Sequence, residues 1–252
     1  MSPALPIPIR AFSAVGGLGA TTAELLANLD AGTSGLRPIE DPRVPFETVV
    51  GRIDRTRLAP VPTPFETYDC HHARLGLLAL DEVREAADAA VARWGAHRVG
   101  VFLGTSTGGL EATERGYQGW HDAGALPADY GFHTQHDFNA LATLMAGLIG
   151  AEGPALTIST ACSSSGKVFG TAQRWIATGR LDAAIVGGVD SLCRMTVRGF
   201  RSLGVLDSDP CRPFSADRKG INIGEGAALF VLEREADDAA LELLGVGESA
   251  DA

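Results

Sequence analysis

Residues 155–178, ALTISTACSSSGKVFGTAQRWIAT, constrain the fold more than any other stretch of the chain. Ala155 to Ser159 is an apolar, β-leaning run that ends in small polar residues. A helical pattern then starts at Cys162 and turns Val168, Phe169, Ala172, Trp175 and Ile176 inward. The cysteine therefore sits where a strand gives way to a helix. There its sulfur is expected among the unpaired N–H groups of the first helical turn, whose partial positive charge favours a thiolate nucleophile. Ala161, Ser163, Ser164, Ser165 and Gly166 are small enough to leave room for a substrate carbonyl. Position alone fits a structural cysteine in a strand-to-helix connection equally well.

The flanking sequence repeats the alternation. Ile9 to Val15 predicts a first strand, and Thr21 with Glu24 forms a capping-box signature for a short helix that Gly32 ends. Residues 33–68 contain six prolines and no sustained period, which predicts loop. Leu75, Leu78, Val83, Ala87, Ala90 and Val91 mark a long helix from about Asp69 to Trp94. His97 to Leu103 reads as a strand leading into the loop GTSTGGLE, residues 104–111, and His136 to Ile149 as a helix. Leu181 to Val186 is a continuous apolar strand, Ser191 to Leu203 a short helix, and residues 211–226 a polar, glycine-rich excursion. Ala227–Glu233 and Leu241–Val246 are the last strands. This alternation predicts an α/β fold, a layered and mostly parallel sheet with helices on both faces and reactive groups at the strand C-termini.

With 45% hydrophobic and 21% charged residues the chain is globular, and no apolar stretch reaches the length needed to span a bilayer. The opening MSPALPIPIR is broken by three prolines and does not read as a secretory signal, so a cytoplasmic protein is expected. A net charge of −10 is the wrong sign for a nucleic-acid or anionic-membrane binder. Cys70, Cys162, Cys193 and Cys211 lack paired CxxC spacing, which predicts free thiols and no metal site.

Four signals occur in one order: GTSTGGLE, TACSSS, AIVGGVDS and PFSADRKGINIGEGAALFVLE. Together they resemble the amino-terminal half of β-ketoacyl-acyl-carrier-protein synthases, in the thiolase-like superfamily. The resemblance implies a condensing acyltransferase of fatty-acid or polyketide synthesis. Cys162 would take an acyl group from the phosphopantetheine of acyl-carrier protein. A malonyl-carrier protein would then lose carbon dioxide and attack the acyl-cysteine. The resemblance further implies no bound cofactor, acyl-carrier protein as partner, and a homodimer or a heterodimer with another synthase subunit. Thr107 matches a position that gates the acyl pocket, with Gly108 beside it, and Phe200 matches a pocket-lining phenylalanine. A small, polar gate at Thr107 would suit a different or longer acyl chain.

The family's two catalytic histidines, its lysine and its second oxyanion donor lie in the carboxy-terminal half of the fold, and no histidine follows His136 here. Residues 1–240 are accordingly expected to form the amino-terminal domain and 241–252 the start of a second half. The chain is expected to be truncated or one part of a split enzyme, inactive for condensation alone. The segment before the long helix, PVPTPFETYDCHH, lacks the basic docking residues common there, which leaves Arg194, Arg198 and Arg201 as substitutes.

Three rivals remain. Gly104 to Gly108 fits the GxSxG elbow of serine hydrolases around Ser106, although the later histidines are only 121, 133 and 136. The same three histidines are a candidate metal set without a completing cysteine or carboxylate. A silent subunit pairing with a complete synthase is the non-enzymatic alternative.

Overall fold

The computed structural model describes residues 6–237 and 239–250; the first five residues and the last two of segment 241–252 lie outside the described residues. Nine strands and six α-helices are found among the described residues: β1 Ile7–Gly16, α1 Thr22–Asp30, β2 Leu36–Pro38, β3 Val49–Gly51, α2 His71–Trp94, β4 Val99–Gly104, α3 Leu110–Ala123, α4 Ala140–Ile149, β5 Ala155–Ile158, α5 Ser164–Ala177, β6 Ala183–Asp190, α6 Arg194–Ser202, β7 Ile223–Gly224, β8 Gly226–Glu233 and β9 Leu241–Leu243. The main sheet has the order β5-β4-β6-β8-β1-β9.

The sheet is mixed, which corrects the expectation of a mostly parallel one. Only β4–β5 and β4–β6 pair in parallel, whereas β6–β8, β8–β1 and β1–β9 are antiparallel. The parallel pairs come from full crossovers through α4 and α5. After β6 the chain stays at the same end of the sheet through α6 and the excursion that follows, and it re-enters at Gly226, directly opposite Asp190. A strand that starts where its neighbour ends must run back along it. Four strands, β1, β4, β5 and β6, still point one way, and their C-termini share the end of the sheet where β8 begins.

Both faces are covered, as expected for buried strands. On β4, Val99, Val101 and Leu103 face α2 and α4 within one core that includes Leu75, Leu80, Val83, Leu144 and Met145. Phe102 points to the other face, where Val168, Ala172 and Ile176 of α5 pack with Val186 and Leu232. This two-residue alternation lets one strand serve two cores. Burying each of these Val or Ile side chains contributes about 1.5–3 kcal/mol.

Residues 33–68 are not wholly irregular. β2, β3 and β7 form a small second sheet in which Val50 pairs with Ile223, and it shares a third apolar cluster with Leu192 and Val197. β9 lies at the edge of the main sheet, with Leu241 opposite Ile9 and Leu243 opposite Ile7.

Candidate active site

The helix carrying the cysteine motif begins two residues later than the apolar period implies. α5 starts at Ser164 with Ser163 as its N-cap, so Cys162 lies just outside the first turn rather than within it. Ala161 adopts the left-handed conformation, φ 52°, which costs a residue with a side chain about 1 kcal/mol. The serines close this tight turn. Ser164 Oγ accepts from Thr160 N at 2.8 Å and donates to Ala161 O at 2.6 Å, while Ser163 Oγ donates to Thr160 O at 2.9 Å. These hydroxyls are structural staples, and Cys162 is left exposed on the turn they make.

Two glycines form the floor. Gly104 and Gly188 are register partners at the ends of β4 and β6, and α5 is seated directly on them. A Cβ at Gly104 would fall 2.5 Å from Ser165 Cα and closer still to Ser165 N; one at Gly188 would fall 2.6 Å from Ser165 Cβ. The absence of side chains at these two positions sets the height of Cys162 above the sheet.

The GTSTGG turn leaves the same floor, with Thr105 N donating to Ile158 O at 3.2 Å. It wraps around the Asp190 carboxylate. Asp190 Oδ1 accepts from Thr107 Oγ1 (2.8 Å), Thr107 N (2.9 Å), Ser106 N (2.8 Å), Thr105 Oγ1 (2.9 Å) and, more weakly, Ser106 Oγ (3.2 Å). Thr107 is buried and its Oγ1 also accepts from Ser191 N at 3.1 Å. Gly108, at φ 50°, donates its N–H to Thr105 Oγ1 at 2.8 Å and accepts from Ser191 Oγ at 3.2 Å. The Thr107 hydroxyl thus commits its proton to Asp190 and one lone pair to Ser191 N, and the polar gate expected from its chemistry offers no free O–H donor. Asp190 is a functional candidate that the motifs alone do not single out; its signal is an acid two positions after the Gly187-Gly188 pair, at the end of a buried strand.

A second carboxylate joins distant segments. Glu225, at the start of β8, accepts from His71 Nε2 at 2.8 Å, Leu192 N at 3.1 Å and Ile53 N at 3.1 Å. Burial pushes its carboxyl up, but the His71 contact and the two N–H groups outweigh burial and hold it below the ordinary value.

The remaining predicted residues are dispersed. Phe200 packs in the cluster of Val44, Val50, Leu192 and Leu206. Arg194 is bound to Glu114 at 3.1 Å, and the same carboxylate accepts the N–H groups of Arg194 and Met195, capping α6. Arg201 lies over the Phe46 ring at 5.2 Å, which leaves Arg198 exposed without a partner among the described residues. Ser106 contacts Asp190 rather than a histidine. His136 Nδ1 is hydrogen-bonded to Thr113 Oγ1 and His121 Nδ1 to Asp122, while His133 and His136 both pack against the Phe132 ring. Among the described residues no His, Cys, Asp and Glu group is placed to hold a metal. No helix among the described residues is long and apolar enough to cross a membrane.

The four free thiols differ in access. Burial pushes the Cys70 thiol up to about 11 and raises that of Cys193, whereas Cys162 is exposed and Cys211 half-buried. At pH 8 about one Cys70 in a thousand is a thiolate. Iodoacetamide should therefore label Cys162 and Cys211 of the native protein at least about tenfold faster than Cys70 and Cys193. Peptide mapping of a time course reads this order, and equal rates for all four would show that the burial is not kept in solution.

The sequence matches the family described as β-ketoacyl synthase, N-terminal domain, over residues 5–238. It is 32% identical over 185 residues to nodulation protein E of Rhizobium meliloti, covering 71% of this chain and 46% of that protein. It is 34% identical over 170 residues to 3-oxoacyl-[acyl-carrier-protein] synthase 2 of Vibrio cholerae, covering 62% of this chain and 41% of the relative. Among solved structures, a ketosynthase in complex with its chain length factor from Xenorhabdus doucetiae superposes with a TM-score of 0.85 at 33% identity, over 92% of this chain and 59% of that one. The chain spans about half the length of these curated relatives. The cysteine turn, its glycine floor and the match over residues 5–238 agree: the chain belongs to the β-ketoacyl synthase family and carries the family's amino-terminal, thiolase-like half.

Proposed function

We propose that this chain is the acyl-accepting half of a β-ketoacyl synthase, acting in the cytoplasm on chains carried by the phosphopantetheine of acyl-carrier protein. The Cys162 thiolate attacks the thioester carbonyl, the C–S bond to the pantetheine breaks, and the carrier leaves as its thiol after taking up a proton. The observation that carries this reading is the exposure of Cys162 on a turn held rigid above the ends of β4 and β6. The backbone N–H of Cys162 is the oxyanion donor implied by the family resemblance. Beyond the gate turn, where Leu110 N is bonded to Thr107 O, an open groove of about 390 Å³ lined by Leu110, Tyr117 and Met195 together with Glu114, Gln118 and Arg194 is the path offered to an acyl tail. Arg198 and Arg201 are the cations left for an acidic carrier, since Arg194 is held by Glu114. No bound cofactor is required. Decarboxylative condensation uses the histidine pair that the family carries in its carboxy-terminal half, and residues 241–252, which open with β9 on the edge of the main sheet, lead towards that half.

Incubation of the purified chain with an acyl-carrier protein is expected to add one acyl mass to wild type and none to Cys162→Ala. Equal loading of both, or of neither, would sink the proposal.

A second reading, a partner subunit that positions another synthase, draws on the open edge of β5, where Leu156 is exposed. A chain that stays unacylated but forms a stable heterodimer with a complete synthase in sedimentation would favour it.

A further inference from the structure

We infer that Asp190 is a positioning residue for acyl-chain selection, fixing the gate through Thr107; this rests on the acyl-transfer reading above. An oxygen with two lone pairs that faces five donors is the organising centre of its turn. The donors come from three consecutive residues, so the carboxylate sets the conformation of Thr105, Ser106 and Thr107 together. Asp190 has no cationic partner among the described residues. The buried His72 supplies no compensation either, because burial lowers it to about 4 and leaves it neutral at pH 7. A half-buried carboxylate without a counter-ion depends on these hydrogen bonds, and they depend on it.

The consequence for selection lies in the Thr107 rotamer. Its hydroxyl is held between Asp190 Oδ1 as acceptor and Ser191 N as donor, at 2.8 and 3.1 Å. The group left to meet an acyl chain is the γ-methyl, so the gate acts as a small apolar residue despite its hydroxyl. Ser191 Oγ on Gly108 O and Gly108 N on Thr105 Oγ1 extend the same hold across the turn. Cys162 is fixed separately, by Thr160, Ser163 and Ser164. Removal of the Asp190 carboxylate therefore loosens the gate without unmaking the nucleophile's turn.

The test uses the full chain as wild type, Asp190→Ala and the near-isosteric Thr107→Val, which cannot donate to Asp190. Initial rates of Cys162 acylation from butyryl- and dodecanoyl-carrier protein give a chain-length ratio. The Ser106 and Thr107 amides report the hold on the turn by hydrogen exchange, and iodoacetamide alkylation reports the cysteine turn. In Asp190→Ala both amides are expected to exchange at least about tenfold faster and the chain-length ratio to move about tenfold, with alkylation within about twofold of wild type. Thr107→Val is expected to move the ratio in the same direction with a smaller amide effect. Unchanged amide exchange would show that Asp190 does not hold the turn. Faster exchange with an unchanged ratio would show a purely structural staple. A wild type that accepts no acyl group from either carrier would overturn the acyl-transfer reading, and the amides alone would then decide the hold.

Discussion

Gly104→Ala is expected to destabilise the protein by about 3 kcal/mol or more, the upper range for forcing extra volume into a packed site. In a domain of this size that lowers the thermal midpoint by about 6–12 °C. The new methyl has no flexible side-chain end to displace, because the nearest atoms are backbone: Ser165 N, Ser164 C and Ser165 Cα. Relief requires the first turn of α5 to lift from β4, and Cys162 moves with it, since Ser164 Oγ ties that turn to Thr160 and Ala161. Acyl loading should then fall by more than the stability loss explains, measured at a temperature where the variant is fully folded. Gly166→Ala, one residue beyond Ser165, is the matched control. A Cβ there meets nothing within 4 Å, and alanine at this first-turn position of α5 gains part of the roughly 1 kcal/mol by which it exceeds glycine in a helix interior. The two variants should shift the midpoint in opposite directions. Equal, small shifts would show that α5 is not seated on β4 as closely as the structure places it.

What could be read from the sequence follows from the range of the interaction that forms each feature. α2 was legible because its apolar period persists through 24 residues and faces one core. β4 and β6 were legible as unbroken apolar runs covered on both faces. The antiparallel entry of β8 was not, because hydrophobic pattern carries no strand direction. β2, β3 and β7 have three, three and two residues, too short to show a period, and β7 meets β3 across more than 170 positions of chain. At the site, Cys162 was legible from its junction, but the helix start was placed too early. The serines read as space-making residues are hydrogen-bonding staples that delay the first turn. Asp190 was legible as a motif letter only; its role appears once β4 and β6 are paired and bring residues 105–107 onto its carboxylate. Thr107 was placed correctly in the turn, but the loss of its free hydroxyl could not be inferred without that pairing.

Glu225→Gln is expected to lower stability by about 3 kcal/mol at neutral pH, the lower end of what breaking a buried, hydrogen-bonded pair costs. The Glu225 side chain is 1% exposed, and its two oxygens serve three donors from three segments: His71 at the start of α2, Ile53 beyond β3 and Leu192 beyond β6. An amide keeps one accepting oxygen, so at least one of these buried N–H groups loses its acceptor. The sign of the pH dependence follows from the direction of the shift. The folded carboxyl lies below its reference value of 4.5, so its contribution is complete above that pH and is lost as the pH falls through the folded value. Urea denaturation of wild type and Glu225→Gln should therefore show the full gap at pH 7 and a narrower gap below pH 4.5, as the wild-type carboxylate takes up a proton and comes to resemble the amide. A gap that is constant with pH would assign the loss to shape rather than charge. A gap under about 1 kcal/mol at pH 7 would show that the three segments are held together instead by the two apolar clusters that take in Ile53 with Ala73 and Leu75, and Leu192 with Val50.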